Sequence, residues 1–100
     1  MARYNKLVRD KIPEILDAKN ISYEKHIASD EEYKVELIKK LNEEIQEFSE
    51  AGDPEELADV LEVIESLKKL SIYSKVEIIQ QNKKEKKGGF DKKIILKGDH

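Results

Sequence analysis

The sequence predicts a mainly α-helical domain, a helical hairpin-based bundle of about four helices with a small two-stranded β element. Three observations predict this fold class. Apolar residues recur at helical spacing in two long segments, capping residues and glycines divide the chain into short units, and two brief segments resemble strands. The 100 residues have the length of one domain, so we treat residues 1–100 as a single domain.

Composition excludes several classes of protein. The chain has no run of about 18 apolar residues, so a transmembrane helix is not expected, and its first residues lead into no apolar secretory segment. It has no cysteine, which removes disulfides, thiolate zinc sites and cysteine nucleophiles. We therefore expect a cytoplasmic protein that makes no membrane contact.

The net charge of −3 conceals an acidic middle and a basic end. Residues 30–65 hold 14 acids and three lysines, whereas residues 83–100 hold seven lysines and three acids. Nucleic-acid binding is not expected, because the acidic middle repels a phosphate backbone and the basic end has few interleaved aromatic residues.

The first quarter of the chain predicts a helix followed by a strand. A helix is expected over about residues 7–19, because Pro13 suits a first helical turn and apolar residues then follow on one face. Asn20 is a residue type that ends helices in the left-handed conformation. Residues 21–27 alternate between apolar and polar side chains, which predicts a half-buried strand.

The middle of the chain predicts an antiparallel helical hairpin. The second helix should cover residues 30–51, since Ser29 begins a capping box and Gly52 follows the last helical residue. Asp53 is suited to cap a third helix that continues to about residue 70. A connection this short favours antiparallel neighbours.

The last third of the chain predicts a fourth helix and a closing strand. Ser74-Lys75-Val76-Glu77 matches a second capping box, and the helix that it opens, with Val76 and Ile79 facing inward, should end at Gly88-Gly89. Residues 90–96 then predict a strand that pairs with residues 21–27, because a lone strand is not stable.

Four acidic residues are predicted to face the seam between the two hairpin helices. With a rotation of about 100° per residue, Glu44 falls beside the apolar residues of the second helix and Glu47 falls on their flank. Glu56 and Asp59 take similar places on the third helix, and the hairpin aligns the two pairs at nearly the same height. Side chains three residues apart share a helix face, so each pair can bind one cation.

These clustered carboxylates predict a metal site. In a partly dry groove they must be protonated, paired with cations or bound to metal, and residues 41–67 contain no lysine or arginine. Mg²⁺ is the expected ion, because it binds oxygen and keeps water positions for phosphate ligands, and Mn²⁺ is the alternative. A solvated acidic face is the competing interpretation, since acids are common on amphipathic helices.

The acidic residues also form two recognisable motifs. Glu43-Glu44-Ile45-Gln46-Glu47 and Glu56-Leu57-Ala58-Asp59-Val60 resemble the motifs of the MazG-like, all-α nucleoside triphosphate pyrophosphohydrolases, a superfamily that includes dimeric dUTPases and phosphoribosyl-ATP pyrophosphohydrolase. The opening segment of residues 4–13 and Gly88-Gly89-Phe90 resemble a small phosphoribosyl-ATP pyrophosphohydrolase-like subfamily. The resemblance covers nearly the whole chain.

The resemblance implies Mg²⁺-dependent hydrolysis of a nucleoside triphosphate, standard or non-standard, to the monophosphate and pyrophosphate. It implies that four acids hold the metal: Glu44, Glu47, Glu56 and Asp59. It also implies that Glu43, the first acid of the motif, orients or deprotonates the attacking water. Three cations of the N-terminal motif are the candidates for phosphate contacts: Lys6, Arg9 and Lys11.

Two alternative functions stay open at this point. Phosphoribosyl-ATP pyrophosphohydrolase breaks the same kind of linkage, so the acidic motif does not distinguish it from hydrolysis of a free triphosphate. A non-catalytic helical partner protein, whose acids only solvate the hairpin, is the alternative from another class. A homodimer or a dimer of dimers is expected, because a chain of this length and apolar content buries little surface alone.

Overall fold

The computed structural model describes residues 5–99 and shows a mainly helical chain, which confirms the predicted fold class at this level. Tyr4, the first residue of the N-terminal motif, lies outside the described residues. Within them, the α-helices and one 3₁₀ turn follow in the order α1 (Ile12–Ala18), α2 (Asp30–Ala51), α3 (Pro54–Lys68), η1 (Ser71–Tyr73) and α4 (Val76–Lys87). No helix in residues 5–99 has the length and apolarity needed to cross a membrane.

The turn forms as predicted, and both cap residues of the hairpin accept the expected hydrogen bonds. The Glu32 carboxylate, which was expected to complete the Ser29 capping box, instead contacts Nε2 of His26 at 3.0 Å. The Ser29 hydroxyl accepts a hydrogen bond from the backbone N–H of Glu32 at 3.2 Å, and the Asp53 carboxylate accepts one from Glu56 at 2.9 Å. Gly52 adopts a φ of 66°. A residue with a Cβ atom pays about 1–2 kcal/mol in this left-handed conformation, so glycine suits the reversal between α2 and α3.

The main tertiary contact of the described residues is between α2 and α3. The apolar core of this hairpin consists of Leu37 from α2 with Val60 and Val63 from α3, which are between 3% and 7% exposed. Glu44 is buried to the same degree, at 7% exposure. The core is therefore a narrow apolar line interrupted by one carboxyl group.

The four helices do not form the expected bundle within residues 5–99. No residue of α1 or α4 is buried, and the side chains of Val76 and Ile79 are 40% and 53% exposed, so the prediction that they face inward is wrong. The physical reason lies in the sequence of α4, whose apolar residues all stand in its first turn and are followed by polar and charged ones. Such a helix has no continuous apolar stripe to pack.

The start of α4 also differs from the predicted capping box. The helix begins at Val76, and no side chain caps its N-terminus. Ser74 belongs instead to the turn after η1, where its N–H donates to the Ser71 carbonyl at 3.2 Å. Glu77, which was expected to complete the box, pairs with Lys68 of α3 at 2.5 Å. A tertiary ion pair has replaced the local contact.

The predicted two-stranded ribbon is absent from residues 5–99. Residues 21–27 and 90–96 do not adopt strand structure, and no backbone hydrogen bond joins one segment to the other. A strand needs a neighbour and an apolar surface to cover one of its faces. Phe90 and Ile95 are 97% and 93% exposed, so the second segment has no such surface in the described chain.

Replacement of the α3 cap should destabilise the hairpin. Asp53→Ala should lower the free energy of unfolding by about 1 kcal/mol, because the Glu56 N–H loses its acceptor. Asp53→Asn is the matched control, since asparagine caps a helix about as well as aspartate while removing the charge. Urea unfolding followed by circular dichroism measures both variants. Equal losses would show that the charge of Asp53, and not its hydrogen bond, stabilises the turn.

Candidate metal centre

Carboxylate oxygens from α2 and α3 meet in the half of the hairpin nearest its turn. Glu44 of α2 and Glu56 and Asp59 of α3 each offer one oxygen, and these three oxygens lie within 4.8 Å of one another. Glu44 is buried, and the other two residues are half-buried. Like charges this close repel strongly unless a proton or a cation neutralises them.

Local structure explains why the three side chains converge. Glu44 lies two helical turns after Leu37, so the face of α2 that buries the leucine in the core also buries the glutamate. Glu56 stands in the first turn of α3, where the bond from its N–H to Asp53 holds the backbone. Asp59 follows one turn later on the same face. The inward position predicted for Glu44 from helical periodicity is therefore confirmed.

Two carboxylate oxygens of the cluster are buried without a hydrogen-bond partner. They are Oε2 of Glu44 and Oε2 of Glu56. A buried acceptor that lacks a partner loses its hydration and gains nothing in return, and the loss is larger when the group is charged. Both oxygens therefore require a proton, a cation or a donor that residues 5–99 do not supply.

Burial and like charge raise the pKa of two of these carboxyl groups. For Glu44 the largest cause is burial, followed by the negative charge of Glu47, while the Lys40 ammonium works in the opposite direction. For Glu56 burial is again the largest cause, followed by the charges of neighbouring acids, with Glu47 first. A cation held between these groups would relieve both effects.

Basic residues from outside residues 41–67 contact the cluster, which corrects the expectation that its acids lack cationic partners. The Arg9 Nη2 donates to Oδ1 of Asp59 at 2.6 Å. The Lys40 Nζ lies 3.4 Å from Oε1 of Glu44. The stretch of residues 41–67 contains no basic residue, but the chain brings these two cations from outside it.

Lys40 contacts the acidic residues but was not among the predicted site residues. It lies three residues before Glu43 and four before Glu44, and its Nζ is 3.8 Å from Oε2 of Glu43. Residues at these spacings are neighbours on a helix surface, so the signal was available in the sequence. The predicted lack of cations applied to residues 41–67, and Lys40 lies one residue before that range.

Glu47 lies at the edge of the cluster. Its side chain is close enough to Glu56 to accept a hydrogen bond when Glu56 is protonated, and its charge raises the pKa of that group. Glu47 is nevertheless exposed and does not belong to the group of oxygens within 4.8 Å of one another. The structure thus brings together three of the four predicted metal ligands.

The other predicted site residues are exposed. Glu43 points away from the buried line of α2 and contacts Lys40. Lys6 and Lys11 are exposed residues of the segment that leads into α1, and Arg9, between them, contacts Asp59 of the cluster. The Arg9–Asp59 contact places this segment beside the acids, and its contact with phosphates stays a prediction.

The charge and chemistry of the donor set suit a hard divalent cation. All of the converging atoms are carboxylate oxygens, the ligands that Mg²⁺ and Mn²⁺ prefer. With Glu44, Glu47, Glu56 and Asp59 ionised, the contacts of Arg9 and Lys40 offset two of the four negative charges in the metal-free protein. A divalent ion would offset two of these charges.

Comparison of the chain with protein-family models, curated proteins and solved structures gives no match. The interpretation of the site consequently rests on its own geometry and on the sequence motifs.

The metal-free protein should lose stability as the pH rises above the ordinary pKa of glutamate. The pKa values of Glu44 and Glu56 are raised in the folded state, so over this range the folded chain binds more protons than the unfolded chain. Unfolding then becomes easier as the pH increases, until the raised pKa values are passed. Urea unfolding in the presence of a chelator, between about pH 5 and pH 8, measures this dependence.

In the metal-free protein, Glu44→Gln should reduce the slope of the free energy of unfolding against pH. It should also raise the free energy of unfolding at neutral pH by about 1 kcal/mol, because a neutral amide replaces a desolvated carboxylate. Glu62→Gln is the matched control, since Glu62 is an exposed acid of α3 outside the cluster. A slope in Glu44→Gln identical to that of the wild type would show that Glu44 ionises without penalty in the folded protein.

Proposed function

We propose that this protein hydrolyses a nucleoside triphosphate, standard or non-standard, to the monophosphate and pyrophosphate with Mg²⁺ as the cofactor. The observation that carries the proposal is the convergence of Glu44, Glu56 and Asp59, in which two glutamates each keep a buried oxygen without a partner. The same residues stand in the motifs that resemble the MazG-like pyrophosphohydrolases. Side-chain geometry and sequence motif therefore support one assignment.

The residues present fit a divalent ion. Glu44, Glu56 and Asp59 would hold it, and Glu47, which affects the pKa of Glu56 from the edge of the cluster, would join them. When bound, the ion offsets the charge of the phosphate oxygens and acidifies water at the reaction centre. Mn²⁺ offers the same oxygen chemistry and is the alternative ion.

Side chains of the protein carry out the remaining parts of the proposed reaction. The attacking water forms a bond to the α-phosphorus and gives its proton to the Glu43 carboxylate, while the bond to the pyrophosphate leaving group breaks. Lys40, whose Nζ is 3.8 Å from Oε2 of Glu43, orients that carboxylate. Lys6, Arg9 and Lys11 supply positive charge for the phosphates, and Arg9 alone can contact two phosphate oxygens at once.

The non-catalytic alternative explains the site less well. A protein whose acids only solvate a helical hairpin would keep them on its outer faces. Here one carboxylate oxygen of Glu44 and one of Glu56 are buried and unpartnered. This arrangement is destabilising unless a ligand or a proton occupies it.

Activity assays on the full chain test the proposal. The wild type should release pyrophosphate from members of a nucleoside triphosphate panel in the presence of Mg²⁺. Glu56→Gln should reduce turnover on the order of 100-fold, because it removes a metal-ligand charge. Glu55→Gln, which changes the adjacent exposed acid, is the matched control and should retain activity.

The same assay separates the competing functions when phosphoribosyl-ATP is included in the panel. Turnover of phosphoribosyl-ATP alone would replace the proposed substrate with that compound. Absence of any turnover, together with unchanged Mg²⁺ binding in Glu56→Gln by isothermal titration, would favour the non-catalytic alternative.

We also propose that two copies of the chain associate through an apolar face of the hairpin. The accessible surface is 9610 Å², whereas a compact chain of 11.6 kDa exposes about 5,800 Å². The radius of gyration is 18.0 Å, against about 13 Å for a compact domain of this length. The excess surface, about 3,800 Å², is several times the roughly 800 Å² that each partner buries in a standard interface.

One side of the hairpin offers the surface for this association. The exposed apolar side chains of its two helices are between 36% and 53% exposed: Val35, Ile38 and Ile45 on α2, and Leu57, Leu61 and Ile64 on α3. Except for Val35, which lies nearly opposite the buried line of α2, they lie roughly 70° to 130° from the buried line of their helix in the same rotational sense. In an antiparallel hairpin these residues therefore share one side. Asp59 lies on the opposite flank, which leaves the acidic cluster open in a dimer.

Sedimentation should show a dimer of the wild type at micromolar concentration. Leu61→Glu should raise the dissociation constant by about tenfold or more, because it places a charge in the apolar face. Ala58→Glu adds the same charge on the outer side of α3 and should leave the dimer intact. A monomeric wild type, or identical behaviour of the two variants, would contradict an interface at this face.

A further inference from the structure

Arg9 joins the segment before α1 to the acidic cluster. Its Nη2 donates to Oδ1 of Asp59 at 2.6 Å, across a separation of 50 residues in the sequence. Asp59 is one of the three acids whose oxygens converge within 4.8 Å. The guanidinium therefore binds a carboxylate that the proposed metal ion also requires.

A divalent ion can replace Arg9 at Asp59, because the ion pair is exposed. The side chains of Arg9 and Asp59 are 57% and 41% exposed, so water competes with the contact on both sides. Ion pairs exposed to this extent contribute little to stability, and a divalent ion attracts a carboxylate more strongly than a single positive charge does. A metal ion that binds Asp59 would also repel the guanidinium.

The backbone at Arg9 allows the side chain to move while the helix stays in place. The Arg9 carbonyl accepts a hydrogen bond from the Ile12 N–H at 3.1 Å, which anchors the residue at the start of α1. The side chain beyond this anchor is long, and its five N–H donors form a planar fork that matches two phosphate oxygens. The guanidinium can therefore bind either an aspartate or a phosphate while the Arg9 backbone stays at the start of α1.

We propose that Arg9 binds Asp59 in the metal-free protein and transfers to the phosphates of the substrate when a divalent ion takes Asp59. This inference rests on the proposed function, because it treats Asp59 as a metal ligand and a phosphate chain as the second partner of Arg9. The transfer couples the two ligands through one side chain. A bound phosphate chain holds Arg9 away from Asp59, so each ligand strengthens the binding of the other.

Mn²⁺ binding to the nucleotide-free protein tests the competition for Asp59. In isothermal titration, Arg9→Gln should bind Mn²⁺ about threefold to tenfold more tightly than the wild type, because Asp59 has lost its competitor. Lys19→Gln is the matched control, since it removes the same charge from an exposed residue at the other end of α1. Its Mn²⁺ affinity should stay close to that of the wild type. An unchanged or weaker affinity in Arg9→Gln would overturn the proposal.

Titration with inorganic triphosphate at saturating Mg²⁺ tests whether Arg9 contacts phosphates after it leaves Asp59. Arg9→Gln should bind this probe about tenfold more weakly than the wild type. Arg9→Lys keeps the charge without the planar fork, so it should bind Mn²⁺ like the wild type and triphosphate with intermediate affinity. Equal triphosphate affinity in Arg9→Gln and the wild type would overturn the transfer, even if the Mn²⁺ affinity rises.

Two further variants separate failure of this inference from failure of the proposed function. If Glu44→Gln and Glu56→Gln bind Mn²⁺ as the wild type does, the cluster is not the metal site and both proposals are wrong. If these variants lose Mn²⁺ while Arg9→Gln matches the wild type, only the role of Arg9 is wrong. Circular dichroism of each variant verifies that the helices are retained.

Discussion

Burial of the Glu44 carboxyl group is the constraint on which the rest of the hairpin depends. The packing of α2 on α3 that covers Leu37, Val60 and Val63 also removes Glu44 from water. The same packing brings it against Glu56 and its neighbours, so the apolar contacts of the hairpin cannot form without concentrating negative charge at its seam. A hairpin built only for stability would carry an apolar residue at this position.

The charged residues that contact the acids and the exposed apolar residues lie on opposite sides of the hairpin. On one side, Arg9 and Lys40 approach the acids and neutralise part of their charge. The other side is apolar and exposed, and the apolar core of buried residues is thin. A second copy on the apolar side would supply the burial that a single chain lacks, while the acidic side remains accessible to a metal ion and a phosphate chain.

Local signals were predicted well, and signals that depend on a distant partner were not. The caps at Ser29 and Asp53 and the reversal at Gly52 form as expected, because each depends on residues within about one helical turn. The alternation in residues 21–27 carries no information about which segment lies beside it, so the predicted ribbon failed. At α4 the predicted capping box does not form, because Lys68 binds Glu77, the glutamate that was expected to complete it.

The same distinction between local and distant contacts applies to the candidate site. The sequence by itself determined that Glu44 turns inward and that Glu56 and Asp59 share a face of the next helix, because the rotation per residue and a short reversal decide both. Only the tertiary structure decided that Arg9 binds Asp59, and that oxygens of Glu44 and Glu56 are buried without partners. Periodicity relates residues within one helix, whereas contacts across 50 residues depend on how the whole chain packs.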